Sequence, residues 1–193
     1  MYGWQIQGKP PKPEETCIFV GAPHTSGFDA PLMLAVAWRC NLRVKFLIKR
    51  EITDGPFGWF WKSVGGIPVD RENPGPLIEM LVKAAHSDSG FQLVLTPEGT
   101  RKPVEYWKSG FYRFALTADI PLALVSPDKP TMTVNFGPIF HVTSDVAADM
   151  DRMRAFFDTQ HGVNPENRRT ARLRAEDDPD SRAALLAAEN PTA

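Results

Sequence analysis

Short apolar runs alternate with amphipathic stretches along most of the chain. The run 17–21 is apolar and bounded by polar residues, which predicts a buried strand. Apolar residues between positions 73 and 85 instead share one face at helical spacing, which predicts a helix. The same patterns predict further strands at 44–48, 67–69, 92–96, 121–125 and 131–136, and further helices at 30–39, 55–62, 111–117 and 145–157. This alternation predicts an α/β fold: an αβα sandwich with a central, largely parallel sheet flanked by helices.

The length and the change in composition near the C-terminus predict the domain organisation. A chain of 193 residues suits one domain with a substantial core. We assign residues 1–162 to that single domain. Residues 163–193 carry several arginines, then an acidic cluster at 176–180 and an alanine-rich segment. This C-terminal tail carries no recognisable chemistry, and we expect it to be a docked short helix or partly disordered.

The charge and the cysteine content narrow the choice of partner and compartment. A formal net charge of -1 disfavours nucleic acid as a partner, because such proteins need a basic surplus to neutralise phosphates. Cys17 and Cys40 do not form a C-x-x-C pair, so we expect neither disulfides nor a cysteine-based zinc site. The N-terminus lacks the apolar core of a signal peptide, and no apolar run approaches the roughly 20 residues that span a membrane. We therefore expect a cytoplasmic location.

The first candidate chemistry is a histidine followed five residues later by an aspartate. His24 comes just after the strand predicted at 17–21, and Asp29 precedes the next helix. If the chain turns between them, Asp29 can orient the imidazole of His24 and stabilise its protonated form. The positive end of the helix dipole would help to keep His24 neutral, as a general base must be. A loop histidine beside a helix-capping aspartate fits this pattern equally well.

Two later blocks combine glycines with arginines after predicted strands. In the block 65–71, Gly66 permits close backbone approach and Arg71 can grip a phosphate, although a turn with a surface arginine fits better when the block is taken alone. The block 97–101 follows the strand predicted at 92–96, where α/β sheets place ligands. In this block, Glu98 could bind hydroxyl groups of a ligand and Arg101 could bind a phosphate. Alternatively, the block caps a helix.

Taken together, the three blocks resemble a known family. H-x-x-x-x-D, a glycine-to-arginine block and P-E-G-T-R occur here in the order and spacing of the lysophosphatidic acid acyltransferase family of glycerolipid acyltransferases. The segment 120–125 resembles the fourth, hydrophobic block of that family. The likeness covers roughly residues 18–157, and three separate motifs are far more specific than one.

The resemblance implies an acyl transfer without metal or cofactor. His24, oriented by Asp29, would remove a proton from the acceptor hydroxyl as its oxygen attacks the thioester of acyl-CoA or acyl carrier protein. Backbone N–H groups near Gly66 would stabilise the oxyanion. The acceptor is expected to be 1-acylglycerol-3-phosphate (lysophosphatidic acid), with glycerol-3-phosphate or another lysolipid as the alternatives. The residues implied to bind its head group are Arg71, Glu98, Gly99, Thr100 and Arg101. Lys108 would add a phosphate contact or remain a solvated lysine.

A basic and aromatic segment suggests a membrane face. Residues 39–62 contain six basic residues against two acidic ones, beside several aromatic side chains. This combination suits an anionic bilayer surface, where each cation contributes about 1 kcal/mol. One or two of the aromatic residues are expected in the core instead. We predict peripheral association with the inner face of the membrane, through Lys45, Lys49, Arg50, Trp59, Trp61 and Lys62.

Two other classes of function stay open. A thioesterase would use water in place of the acceptor at His24, although no G-x-S-x-G nucleophile elbow occurs in the sequence. A non-catalytic lipid-binding protein would bind vesicles without any acyl transfer. Cleavage of the thioester in the absence of an acceptor would identify a thioesterase. Binding to lipid vesicles without any acyl transfer would identify a lipid-binding protein.

Overall fold

The computed structural model describes residues 3–69 and 75–187. Its strands are β1 (Gln5–Gln7), β2 (Cys17–Gly21), β3 (Val44–Lys49), β4 (Gly66–Val69), β5 (Gln92–Leu95), β6 (Leu122–Asp128) and β7 (Thr133–Phe140). Its helices are α1 (Asp29–Arg39), α2 (Arg50–Thr53), α3 (Gly58–Ser63), α4 (Gly75–Ser87), α5 (Gly110–Ala118), α6 (Val146–Phe157), α7 (Arg174–Asp177) and α8 (Pro179–Leu186).

The seven strands form one sheet in the order β1-β7-β6-β2-β5-β3-β4. Strands β2 to β6 are all parallel to one another, while β7 pairs antiparallel with β6. β1 is parallel to β7 and so shares its reversed direction. Because β2 lies in the centre, the loop after it opens at the carboxyl edge of the parallel strands, where ligands bind in α/β sheets. The predicted α/β architecture with a largely parallel sheet is confirmed.

Residues of β2 alternate between two hydrophobic layers. Ile18 and Val20 point into one layer, which is completed by α4, α5 and α6. Cys17 and Phe19 point into the opposite layer, which α1 covers. Alternate side chains of a strand face opposite sides of the sheet, so a strand buried on both faces must be apolar throughout. This explains why the run 17–21 contains no polar residue.

Element boundaries differ from the sequence predictions at several points. β1 and α2 were not predicted, and the helix expected at 55–62 is α3, which runs from Gly58 to Ser63. The helix expected after Asn73 is described from Gly75 onward, because residues 70–74 lie outside the described residues. Asp145, the first residue of the helix expected at 145–157, is the N-cap of α6, because its Oδ1 accepts the backbone N–H of Ala148 at 3.0 Å.

The segment beyond residue 162 contributes to the core. Val163, Leu173 and Leu185 are buried, and Leu173 lies in the same hydrophobic layer as α5 and α6. The backbone of Trp107 donates to the carbonyl of Arg172 at 2.8 Å, which ties this segment to the loop before α5. Residues 163–187 are therefore docked on the rest of the protein, which is one of the two forms expected for the tail. The division of the chain at residue 162 stays a prediction.

Candidate active site

A turn between β2 and α1 brings His24 and Asp29 together. The Nδ1 atom of His24 lies 2.8 Å from Oδ2 of Asp29. With Nδ1 bonded to the carboxylate, Nε2 is the ring nitrogen that can accept a proton from another molecule. Both side chains are largely buried, with 22% of His24 and 13% of Asp29 exposed. The structure therefore contains the histidine–aspartate pair predicted from the sequence.

Asp29 is the first residue of α1 and not its N-cap. The N-cap is Phe28, which makes no capping hydrogen bond through its side chain. The carboxylate of Asp29 instead reaches back over the turn, where Oδ2 accepts the backbone N–H groups of Thr25 at 3.1 Å and Ser26 at 3.0 Å. These two bonds hold the carboxylate against the ring of His24. The aspartate is therefore positioned by the turn that carries its partner.

Glu98 supports the same turn from the end of β5. Its Oε1 accepts the backbone N–H of His24 at 3.0 Å. Among the residues that the structure describes, its buried Oε2 has no hydrogen-bond partner. Burial raises the pKa of Glu98, and the N–H of His24 partly opposes that rise. A buried carboxylate oxygen beside the reactive histidine can accept a hydrogen bond from a substrate hydroxyl group.

The rest of the P-E-G-T-R block lies against the same turn. A side chain at Gly27 would approach Nη1 of Arg101 to 3.0 Å, so the guanidinium lies directly over this glycine. Gly99 has a φ of +64°, and a Cβ there would meet the methylene groups of Lys108 at 2.9 Å. Arg101 and Lys108 are exposed, so both cations reach solvent beside the dyad. Oγ1 of Thr100 accepts the backbone N–H of Lys102 at 3.3 Å.

The second sequence block is only partly described. Arg71 lies outside the described residues. Gly66 begins β4, the strand at one edge of the sheet, and is in register with Phe46 of β3, while His24 and Glu98 follow the carboxyl ends of β2 and β5. A side chain at Gly66 would come within 2.6 Å of the carbonyl oxygen of Trp61, so close backbone packing accounts for this glycine. The structure does not bring Gly66 to the dyad, and its part in oxyanion binding stays a prediction.

A cavity of about 250 Å³ opens beside the dyad. It lies between the sheet and α1, on the layer opposite to α4, α5 and α6. His24 and Asp29 line one part, and most of the remaining lining is apolar, contributed by Leu32, Met33 and Val36 of α1 and by Phe46, Val94 and Val125 of the sheet. Such a lining stabilises a hydrocarbon chain by about 0.8 kcal/mol for each buried CH₂ group. The sequence pattern did not reveal this cavity, because strand and helix residues from six elements form it.

The predicted membrane residues fall into different environments. Trp59 is exposed, whereas Trp61 is half-buried and packs edge-on against Phe46, with 6.4 Å between the ring centroids. Lys45 forms an ion pair with Asp88. Lys49, Arg50 and Lys62 are exposed. No helix within residues 3–69 and 75–187 has the length and apolar character needed to cross a bilayer.

The described parts of the chain offer no cluster of metal ligands. Residues 3–69 and 75–187 contain no group of three or more His, Cys, Asp or Glu side chains arranged to hold an ion. The expectation of catalysis without metal or cofactor stays a prediction.

At the carboxyl edge of the parallel strands, a histidine–aspartate dyad therefore lies beside a largely apolar cavity. A family model described as Acyltransferase matches residues 4–126, which is more than half of the chain. The chain belongs to this acyltransferase family, and the resemblance seen in the three sequence motifs is confirmed.

The chain is also similar to two known proteins. It is 33% identical over 112 residues to a 1-acyl-sn-glycerol-3-phosphate acyltransferase of Streptococcus pneumoniae. The match covers 51% of this chain and 39% of that relative, so the chain spans about two fifths of the relative's length. The fold is similar to that of the 1-acyl-sn-glycerophosphate (LPA) acyltransferase PlsC from Thermotoga maritima, with a TM-score of 0.59 and 17% identity over 81% of this chain and 70% of that one.

The raised pKa of Glu98 predicts a pH-dependent effect on stability. A carboxyl group with a raised pKa in the folded state opposes folding once it is charged, so the folded protein loses stability as pH rises through that pKa. We expect Glu98→Gln to raise the denaturant midpoint at pH 7. The gain should vanish below the ordinary glutamate pKa of about 4.3, where both side chains are neutral. Denaturation at pH 7 and pH 3.5 tests this, and a less stable variant at pH 7 would contradict it.

Proposed function

We propose that this protein is an O-acyltransferase that moves a fatty acyl group from acyl-CoA or acyl carrier protein to a hydroxyl group of a glycerolipid. The proposed acceptor is 1-acylglycerol-3-phosphate, the compound in the name of the Streptococcus pneumoniae relative. The observation that carries the proposal is that His24, bonded to Asp29, lines the mouth of an apolar cavity. This geometry supports a base at His24 that acts next to a compartment for an acyl chain.

The reaction needs one base and no covalent enzyme intermediate. Nε2 of His24 removes the proton from the acceptor hydroxyl while the oxygen attacks the thioester carbonyl carbon. The imidazolium that forms is stabilised by the carboxylate of Asp29, 2.8 Å from Nδ1. When the tetrahedral intermediate collapses, the carbon–sulfur bond breaks and the imidazolium returns the proton to the leaving thiolate. The products are an ester and a free thiol, and His24 is neutral again.

The acceptor is proposed to bind at the polar side of the dyad. Oε2 of Glu98 can accept a hydrogen bond from a glycerol hydroxyl group, which orients the acceptor near His24. Arg101, beside Gly27, supplies a guanidinium for its phosphate group. Lys108 lies over Gly99 and adds a second positive charge. Arg71 remains a proposed phosphate ligand from the undescribed segment.

Arg101 should therefore control the affinity for the acceptor. A hydrogen bond to a charged group contributes about 1.5–3 kcal/mol, so Arg101→Ala should raise the acceptor KM about 10- to 100-fold. The donor KM should change little. Lys102→Ala removes an exposed cation from the next position and serves as the matched control. If the donor KM rises instead, Arg101 binds the phosphates of coenzyme A, and the assignment is reversed.

The membrane face is proposed to lie along α1 and α3. An open groove of about 850 Å³ runs between them, lined by Pro31, Leu34, Trp38 and Phe60. Trp38 is 89% exposed and Trp59 71% exposed, so large apolar side chains stand at the surface here.

Basic residues accompany these apolar side chains. Arg43 and Lys62 line the groove and are exposed, and Arg39 ends α1 beside Trp38. The described lining contains no acidic residue. Cations attract anionic lipids, and tryptophan favours the membrane–water interface. We therefore propose that this groove binds the surface of an anionic bilayer. The opposite side of α1 lines the acyl cavity, so a bilayer on this face would lie one helix from the site. We propose that the protein acts at the anionic inner face of the membrane.

Vesicle binding tests the proposed face. Trp38→Ala with Trp59→Ala should weaken binding to vesicles that contain phosphatidylglycerol about tenfold or more, since each indole buries a large apolar surface. Binding of the unmodified protein should also weaken with salt, because a Debye length of about 10 Å at 0.1 M screens the charges. Ile139→Ala, an exposed apolar residue on β7, is the control. Normal binding by the folded double variant would place the membrane face elsewhere.

An acceptor panel tests the proposed activity. Thiol release from acyl-CoA is measured with 1-acylglycerol-3-phosphate, glycerol-3-phosphate, a lysophosphatidylcholine or no acceptor. We expect the highest kcat/KM with 1-acylglycerol-3-phosphate and only slow release without acceptor. Equal release in all four reactions would indicate a thioesterase. Vesicle binding with no release in any reaction would indicate a lipid-binding protein.

A further inference from the structure

A segment after α6 lies directly against the turn that carries His24. The backbone N–H of Asn164 donates to Oγ1 of Thr25 at 3.0 Å, and Nδ2 of Asn164 donates to the carbonyl oxygen of Thr25, also at 3.0 Å. Thr25 is buried, with 4% of its surface exposed. One asparagine therefore binds two atoms of the residue that follows His24. It lies beyond residue 126, where the match to the family model ends.

The close approach of this segment depends on a glycine. Gly162 has a φ of +75°, and a Cβ there would come within 2.9 Å of Pro23 Cγ and 3.0 Å of Thr25 Oγ1. Its carbonyl oxygen accepts the backbone N–H of Lys129 at 3.1 Å, which joins the segment to the end of β6. Only a residue without a side chain tolerates both the conformation and the contact. The segment is thus seated between the sheet and the His24 turn.

A single peptide group, between Thr25 and Ser26, links Asn164 to Asp29 by hydrogen bonds. The carbonyl oxygen of Thr25 and the N–H of Ser26 belong to the same planar peptide unit. Nδ2 of Asn164 holds the oxygen of this unit, and Oδ2 of Asp29 accepts from its nitrogen at 3.0 Å. The same Oδ2 atom bonds Nδ1 of His24 at 2.8 Å. Rotation of this peptide group would therefore move the N–H that orients the carboxylate.

We infer that Asn164 is a positioning residue for the His24–Asp29 pair, which it reaches through the Thr25–Ser26 peptide group. Its described hydrogen bonds go to Thr25 and not to the imidazole, and it does not line the cavity, so its effect is on geometry. The inference rests on the proposed role of His24 as the base. Small displacements of a catalytic group cost up to about 10²-fold in rate, so a loosened peptide group should lower kcat.

Two substitutions at position 164 and one matched control test the inference. Asn164→Asp keeps the shape and the backbone N–H but replaces the donor Nδ2 with an acceptor, while Asn164→Ala removes the side chain. Asn135→Ala is the control. Nδ2 of Asn135, on β7, donates to Oε1 of Gln160 at 2.6 Å, so this asparagine also binds the segment after α6, but this bond does not reach the turn that carries His24. We expect kcat to fall about tenfold in both Asn164 variants, with both KM values within about twofold of the unmodified protein. The control should keep its kcat.

A spectroscopic measurement separates positioning from a general loss of stability. In protein labelled with ¹⁵N-histidine, the proton of the His24–Asp29 bond is assigned by its absence from His24→Ala. The signal should weaken or disappear in the Asn164 variants through faster exchange with water, and should persist in Asn135→Ala. Normal kcat and an unchanged signal in a folded Asn164→Asp protein would overturn the inference, as would failure of both Asn164 variants to fold. An active His24→Ala protein would instead refute the proposed function.

Discussion

Replacing His24 by alanine should lower the rate of acyl transfer by about 10²- to 10⁴-fold, the usual contribution of general acid–base catalysis. Within the described residues, His24 is the only histidine that lines the cavity, and its Nδ1 bonds the carboxylate of Asp29. The free energy of unfolding should change little, because the side chain lies in a turn and not in a hydrophobic layer. Single-turnover acyl transfer and a denaturation curve measure the two quantities.

A second histidine–aspartate pair provides the control for this variant. Nδ1 of His141 lies 3.0 Å from Oδ1 of Asp119, in an exposed position that does not line the cavity. His141→Ala removes a similar contact and should leave the rate unchanged. Near-normal transfer by a folded His24→Ala protein would show that His24 is not the base.

Asp29→Asn is expected to produce the second large loss of rate, again about 10²-fold or more. The asparagine Oδ1 can still accept the backbone N–H groups of Thr25 and Ser26, so the turn should keep its shape. An amide cannot stabilise the imidazolium as a carboxylate does. Because Nδ1 of His24 and both N–H groups bond the same oxygen, the amide oxygen also keeps the contact with Nδ1, and the loss comes from the missing negative charge. The same single-turnover assay, run across pH 6–9, measures the loss.

A capping aspartate distant from the site controls for helix stability. Asp145 accepts the backbone N–H of Ala148 and caps α6. Asp145→Asn should alter stability slightly and leave the rate unchanged. If Asp29→Asn also leaves the rate unchanged, the carboxylate serves only the turn, and the dyad does not assist the transfer.

Local patterns in the sequence predicted the central features of the fold and site. The apolar run 17–21 predicted β2 because a strand buried on both faces excludes polar residues. The spacing between His24 and Asp29 predicted their contact because one turn followed by a helix start brings the two together. Both features depend on residues that are neighbours in sequence.

The features that the sequence did not reveal depend on distant contacts. β1 has three residues, too few to show an alternating pattern, and it exists through its pairing with β7. Asn164 is 139 residues from Thr25, so no local motif joins them. The sequence pattern predicts Trp61 at the membrane face, whereas its ring packs against Phe46 of a neighbouring strand, a contact between distant residues. The fold decides each of these contacts.

Direct detection of the product tests the central claim. The purified protein is incubated with radiolabelled acyl-CoA and 1-acylglycerol-3-phosphate in anionic vesicles, and labelled lipid and free thiol are both quantified. The account predicts labelled phosphatidic acid in a one-to-one ratio with released thiol, with label transfer nearly abolished in His24→Ala. Labelled free fatty acid as the main product, or phosphatidic acid formed equally by both proteins, would contradict it.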